Sequence, residues 1–176
     1  HREVERASTT VVNAYVAPRV TSYLERLVTS LEEAGYQNQL MVMQASGGVM
    51  TREYIAGSPI RVLASGPAGG VIGSAHTGVA KGHPNLLCVD MGGTSYDMSL
   101  VIKGAAPAVA GWNMHHRYLV GVPMVQVETL GAGGGSICHV DNGDLQVGPA
   151  SAGAAPGPIC YGRGGVEPTS TDAQLL

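Results

Sequence analysis

Charge is scarce in this sequence: Asp, Glu, Lys and Arg make up 13% of 176 residues, and 10 basic against 13 acidic side chains leave a formal net charge of −3. A chain so poor in Lys and Arg has no basic stripe to lay along a phosphodiester backbone, which argues against a nucleic-acid partner. Long apolar runs are missing too. No stretch approaches the ~20 residues that span a bilayer, and the N-terminus lacks the pattern of a secretory leader, so no membrane partner is expected. Cysteine is sparse: Cys88, Cys138 and Cys160 are an odd set without metal-ligand spacing. That fits a reducing cytoplasm, where cysteines act as small apolar residues.

What the chain does have is apolar material for a core, 44% of its residues, and an excess of glycine, 26 in all. This is about twice the usual ~7% share. The glycines follow no collagen-like period. They gather at Gly47-Gly48, Gly66 to Gly73, Gly92-Gly93, Gly131 to Gly135 and Gly162 to Gly165, which points to several tight, specialised loops. Both ends read as cut: the first residues open in charged helix-like sequence and Leu175-Leu176 closes an apolar stretch without a cap. The expectation is a fragment spanning residues 1–176 of a longer protein.

Periodicity predicts a helix over Arg19–Ala34, with Val20, Leu24, Leu27, Val28 and Leu31 on one stripe, Pro18 near its start and Gly35 as its cap; a separate helix from about Ser8 feeds into it. Leu40–Met43 reads as a short buried strand. Ser65-Gly66-Pro67-Ala68-Gly69-Gly70 reads as a loop before an Ala/Val-rich helix that ends near Lys81. Asn85–Asp90 is a strand, and Tyr96–Lys103 can pair back against it. Val122–Val127 is another strand, and Asn142-Gly143 marks a hairpin tip between Ile137–Val140 and Leu145–Val147. Helices alternating with strands, and a hairpin at the acid-bearing strand, predict an α/β fold with a mixed sheet and flanking helices.

Asp90-Met91-Gly92-Gly93-Thr94-Ser95 carries the main chemical signal. A strand delivers an acid to its carboxyl end, and two glycines let the chain turn with N–H groups exposed. Such a turn is an anion-binding concavity to which Thr94 and Ser95 add hydroxyls. The carboxylate of Asp90 suits a hydrated Mg²⁺ or an oriented water. On spacing alone the string also fits an ordinary β-turn with a capping aspartate. Gly131-Ala132-Gly133-Gly134-Gly135-Ser136 is a second loop without side-chain bulk. It would let backbone lie close to a ligand, and it equally fits a flexible surface loop.

The string Asp90–Ser95 resembles the second phosphate loop of the actin, sugar-kinase and Hsp70-like ATPase superfamily. More narrowly, the chain is similar to the hydantoinase A/5-oxoprolinase family, which includes subunits of ATP-dependent ketone carboxylases. The resemblance rests on Glu5-Arg6-Ala7-Ser8-Thr9-Thr10-Val11, Ser65-Gly66-Pro67-Ala68-Gly69-Gly70-Val71, Gly131 to Ser136, Val147-Gly148-Pro149 through Gly165, and Pro168-Thr169-Ser170-Thr171-Asp172-Ala173, in the family's order. It implies an RNase H-like lobe of a two-lobed ATPase, with nucleotide in the cleft. By that analogy Asp90 is catalytic, Gly92, Gly93, Thr94 and Ser95 contact phosphate, and Gly131, Gly133, Gly134, Gly135 and Ser136 lie near the nucleoside. The implied cofactors are ATP and Mg²⁺, or another divalent metal such as Mn²⁺ or Zn²⁺. The implied partners are a small-molecule substrate and a B-type subunit, making a hetero-oligomer. The implied reaction is ATP-dependent hydrolysis of a cyclic amide such as hydantoin, oxoproline or a lactam. The alternatives are a subunit of a ketone carboxylase and a nucleotide-binding module without turnover. Relative to a whole subunit the chain lacks the upstream lobe and a long C-terminal part, so on its own it should be inactive.

Candidate metal ligands are Asp90, Asp97, His115 and Glu128. Asp97 can instead pair with a neighbouring donor. His115 and His116 are adjacent, so from a strand they cannot easily share an ion. Glu128 stands where many hydrolytic family members carry His, and a carboxylate there can bind a hard metal or act as a base. Arg163 can hold phosphate or carboxylate by two bonds. Cys160 reads as a buried small hydrophobe. Ser46 and Ser65 lack a nucleophile-elbow pattern and read as turn residues.

Overall fold

The computed structural model describes residues 2–110, 112–114 and 118–176. The chain divides into two units, His1–Leu86 with Leu100–Gln126, and Leu87–Ser99 with Val127–Leu176.

The first unit is built on one long helix, α1 (Glu3–Glu33), which continues past Pro18 without a break in assignment. The two expected helices are therefore a single one, with Pro18 inside it rather than near its start. A proline in a helix interior costs roughly 3 kcal/mol. Tertiary contacts offset that cost on both sides of it. Val12 packs on a core of Ala45, Ile60, Val120 and Met124, and Leu24, with Val20 beside it, joins a second core with Met50 and Ile55. Asn13 Oδ1 also accepts the Ile60 N–H at 3.0 Å. The helix ends as its sequence predicts. Gly35 takes φ 88°, and Gly35 and Tyr36 N–H groups donate back to Glu32 and Leu31, the Schellman arrangement that glycine permits without strain.

After it come the antiparallel pair β1 (Met41–Met43) and β2 (Val49–Thr51), then α2 (Arg52–Gly57), capped by the Thr51 hydroxyl. The apolar run at Ile60 forms a 3₁₀ turn, Pro59–Val62. Helix α3 (Ser65–Ala80) absorbs the glycine-rich segment expected to precede it as a loop. Pro67 is tolerated there because the first turn's N–H groups have no intrahelical acceptor. Ala68, Val71, Ala75 and Gly78 are its buried stripe. Gly78 has no substitute, since a Cβ would stand 2.7 Å from the His83 carbonyl oxygen.

The strands follow in order: β3 (Leu86–Met91), β4 (Tyr96–Val101), β5 (Ala108–Val109), β6 (Trp112–Met114), β7 (Tyr118–Val120), β8 (Met124–Val125), β9 (Glu128–Leu130), β10 (Ser136–Asp141) and β11 (Asp144–Ser151). The run expected as one strand over Val122–Val127 is thus only β8, and Glu128 opens β9. The α/β expectation holds, with the strands grouped in small sheets of two or three. The pairs β1/β2, β4/β9, β5/β8, β6/β7 and β10/β11 are antiparallel.

The second unit holds the sheet β3-β4-β9, the β10/β11 hairpin, a 3₁₀ turn at Ile159–Tyr161 and the short helix α4 (Ser170–Ala173). Asn142 and Gly143 at the hairpin tip both have positive φ, 51° and 89°, as a type I′ turn demands. Along β3, Leu87, Val89 and Met91 are 65%, 53% and 48% exposed. Their spacing of two places them on one side of the strand.

Candidate functional site

The strands β3 and β4 are neighbours joined by four residues, Gly92–Ser95, a connection short enough only for a hairpin. The turn is closed by Gly92 N–H donating to the Ser95 carbonyl at 2.9 Å. Residues Gly92, Gly93 and Thr94 are exposed, as is Asp90 near the end of β3.

The second glycine loop, Gly131 to Gly135, packs directly on this turn. Gly134 N–H donates to the Gly92 carbonyl at 2.9 Å, and Gly135 N–H to the Gly93 carbonyl at 2.7 Å. The approach leaves no room for side chains. A Cβ on Gly133 would lie 2.7 Å from the Gly92 oxygen and 2.8 Å from the Gly93 oxygen, and one on Gly135 would lie 2.9 Å from the Gly93 oxygen. Gly93 and Gly131, by contrast, face open space, with no atom within 4 Å of a Cβ built on either.

This contact sets the direction of the turn's donors. In a planar trans peptide the C=O and the next N–H point to opposite sides. Holding the Gly92 and Gly93 carbonyls toward the second loop therefore turns the Gly93 and Thr94 N–H groups away from it. Among the described residues those two N–H groups, and that of Ser95, have no backbone acceptor outside the regular elements. The turn thus offers open donors, a concavity suited to an anion. The Thr94 and Ser95 hydroxyls stand beside them.

The sequence-predicted residues separate into two groups. Asp90, Gly93, Thr94 and Gly131 are exposed at the two loops, with Ser95 half-buried beside them. Gly92, Gly133, Gly134, Gly135 and Ser136 form the support beneath. Ser136 is 1% exposed, and its Oγ accepts the Gly133 N–H at 2.7 Å, so its hydroxyl braces the loop from within.

Among the described residues the metal candidates do not form one ligand set. Asp97 and Thr129 are directly paired across β4 and β9, and Thr129 Oγ1 donates to Asp97 Oδ1 at 2.6 Å. Glu128 pairs with Met98. Successive residues of a strand point to opposite faces, so Asp97 and Glu128 cannot converge on one ion. His115 lies outside the described residues, as does His116. Among the described residues no three His, Cys, Asp or Glu side chains cluster to hold a metal.

Two further side chains can be placed. Cys160 is exposed rather than buried; a hydrogen bond to Asp172, then desolvation and the carboxylate's charge, raise its thiol pKa. Arg163 lies with its guanidinium 5.7 Å from the centre of the Tyr161 ring.

Asp172 itself escaped the sequence reading, although Thr169-x-x-Asp172 has the capping-box pattern. Its carboxylate accepts from the N–H groups of Ile159 at 3.2 Å, Cys160 at 2.8 Å and Thr169 at 2.8 Å, and from the Thr169 hydroxyl at 2.8 Å. Desolvation pushes its pKa up, but the bonds from Cys160 and Thr169 outweigh it and hold the group well below the usual carboxylate range.

Residues 6–176 match the hydantoinase/oxoprolinase family, and the chain belongs to that family. It is 49% identical over 175 residues to the caprolactamase subunit alpha of Pseudomonas jessenii, covering 99% of this chain and 25% of that subunit. Among solved structures, the ATP-dependent caprolactamase of the same organism superposes with a TM-score of 0.75 at 45% identity, over 99% of this chain and 25% of that one. A nucleotide-free acetone carboxylase, from work on ATP-dependent acetone carboxylation, superposes with a TM-score of 0.78 at 30% identity, over 96% of this chain and 24% of that one. The chain thus spans about a quarter of the length of these relatives. No helix among the described residues is long and apolar enough to cross a membrane.

Proposed function

We propose that this chain supplies phosphate-contacting loops of an ATP-dependent enzyme that hydrolyses a cyclic amide. One observation carries the reading: a turn, Gly92–Ser95, whose donors are aimed outward by a second glycine loop and which lies beside the exposed Asp90.

The donor set fits a nucleotide phosphate. Gly93, Thr94 and Ser95 N–H groups and the two hydroxyls bind phosphate oxygens, with no side chain at Gly93 to hold the anion off. Phosphoryl transfer depends mainly on such positioning and charge stabilisation. ATP held there would supply the phosphoryl group that activates the amide oxygen, leaving ADP, and water would then open the ring with release of phosphate. Asp90 would orient a water or hold hydrated Mg²⁺, an ion that needs only one or two protein carboxylates. A Zn²⁺ site, built from several nitrogen and sulfur ligands, has no counterpart among the described residues. The working enzyme is a complete subunit with a partner chain.

Lactam hydrolysis is favoured by the 45% identity to the solved caprolactamase, against 30% for the solved acetone carboxylase. The carboxylase reading stands second, on the TM-score of 0.78 to that enzyme. The test is ATP consumption by the full subunit with its partner, offered hydantoin, oxoproline, a lactam, and a ketone with and without bicarbonate. Stimulation by a cyclic amide alone supports the hydrolase. Stimulation by ketone, with product only when bicarbonate is present, replaces it with the carboxylase.

A further inference from the structure

We infer that Thr171 is a positioning residue for the phosphate turn, acting through the carbonyl of Gly134; this rests on reading Gly92–Ser95 as that turn. Thr171 places two donors on one oxygen. Its backbone N–H reaches the Gly134 carbonyl at 2.8 Å, and its hydroxyl reaches the same oxygen at 2.8 Å.

The peptide so held is the one that matters. The Gly134 carbonyl shares its plane with the Gly135 N–H, which donates to the Gly93 carbonyl at 2.7 Å. The Gly93 carbonyl in turn shares its plane with the Thr94 N–H, one of the open donors of the turn. Each peptide is rigid and trans, so fixing one end fixes the direction of the other. The series runs from Thr171 through two peptide planes to a donor aimed at the ligand. Bonds arranged head to tail also polarise one another, which strengthens the last donor.

Thr171 is itself immobilised. It sits in the first turn of α4, whose capping box joins Thr169 and Asp172, and Asp172 fastens that turn to Ile159 and Cys160. A close steric fit completes the clamp, because a Cβ on Gly134 would stand 2.6 Å from Thr171 Oγ1. Thr171 touches no ligand in this arrangement. It sets the aim of a group that does.

The test uses the full subunit with its partner, measuring steady-state ATP consumption and binding of a fluorescent ATP analogue. Thr171→Val keeps the N–H and shape but loses the hydroxyl; the KM for ATP and the analogue's Kd should rise about fivefold, the worth of one hydrogen bond. Thr171→Ser should recover most of that loss. A Thr171→Val protein that loses thermal stability but keeps its ATP KM within twofold overturns the role, as does a Thr171→Ser protein that recovers nothing. Hydrogen exchange on the unmutated enzyme covers the case in which Thr171→Val does not fold. ATP should slow exchange in the peptides holding Thr171 and Gly135 as well as in the turn, and protection confined to the turn overturns the inference. Unmutated enzyme that binds no ATP analogue refutes the phosphate reading itself, whereas equal binding by the unmutated and Thr171→Val proteins refutes only the role of Thr171.

Discussion

Replacing Gly133 by alanine puts a methyl carbon 2.7 Å from the Gly92 carbonyl oxygen, 2.7 Å from the Gly93 carbonyl carbon and 2.8 Å from the Gly93 oxygen. All three are backbone atoms, so no side chain can swing aside and the loops must separate by several tenths of an ångström. That separation stretches the two bonds from Gly134 and Gly135 to Gly92 and Gly93. At about 1 kcal/mol for each weakened bond, with a similar cost for the overpacked contact, the loss comes to ~2–3 kcal/mol. It falls on the bonds that aim the Gly93 and Thr94 donors, so the KM for ATP should rise by about tenfold or more, each 1.4 kcal/mol being a factor of ten. Gly131→Ala is the control, because a Cβ there meets nothing within 4 Å and should cost less than about 0.5 kcal/mol. The assay is urea unfolding of the full subunit, followed by hydrogen exchange in residues 87–99 and 127–176, together with an ATP titration. If Gly133→Ala matches Gly131→Ala in both stability and ATP affinity, the stacked-loop geometry is wrong.

Asp90→Asn should lower kcat by ~100-fold or more while changing ATP affinity far less, as expected for a carboxylate acting in the reaction; equal losses in both would reduce Asp90 to a binding group. Asp97→Ala should cost about 0.5–1.5 kcal/mol through its bond to Thr129 and leave kcat at saturating Mg²⁺ within a few-fold of normal, and a metal-dependent collapse would restore it as a ligand. Asp172 is held below its unfolded pKa. Its contribution to stability is therefore complete above the ordinary carboxylate value near 4 and is lost as pH falls beneath it. Acid unfolding followed through residues 127–176 should show that slope, and Asp172→Asn should flatten it; an unchanged acid limb would contradict the hydrogen-bond assignment.

Local signals were the legible part of this chain. Gly35, Asn142-Gly143 and the acid at the end of β3 each occupy the place their neighbours in sequence predict, because a cap, a type I′ turn and a strand end depend on a few adjacent residues. Pro18 was misleading for the opposite reason. Its local penalty is real, but Val12, Asn13, Val20 and Leu24 make contacts on either side that only tertiary structure reveals. The site was half legible. Composition marked both glycine loops, yet nothing local says that Gly134 meets Gly92, about forty residues away. The same bareness that reads as room for a ligand turns out, at Gly133, Gly134 and Gly135, to be room for another stretch of backbone or for Thr171. Asp172 is legible as a capping-box residue, but its bonds to Ile159 and Cys160, over ten residues away, are not.

The strand that carries Asp90 also has consequences for handling the polypeptide at the bench. Among the described residues β3 is an outer strand of its sheet, and Leu87, Val89 and Met91 turn one greasy side to water. An open strand edge with such a side is a template for further pairing and a seed for precipitation. A 176-residue polypeptide prepared in isolation should therefore scatter light increasingly with concentration and take up apolar dyes. Nucleotide titrations on such a sample would report colloid as readily as binding, which makes light scattering the natural companion of any such titration.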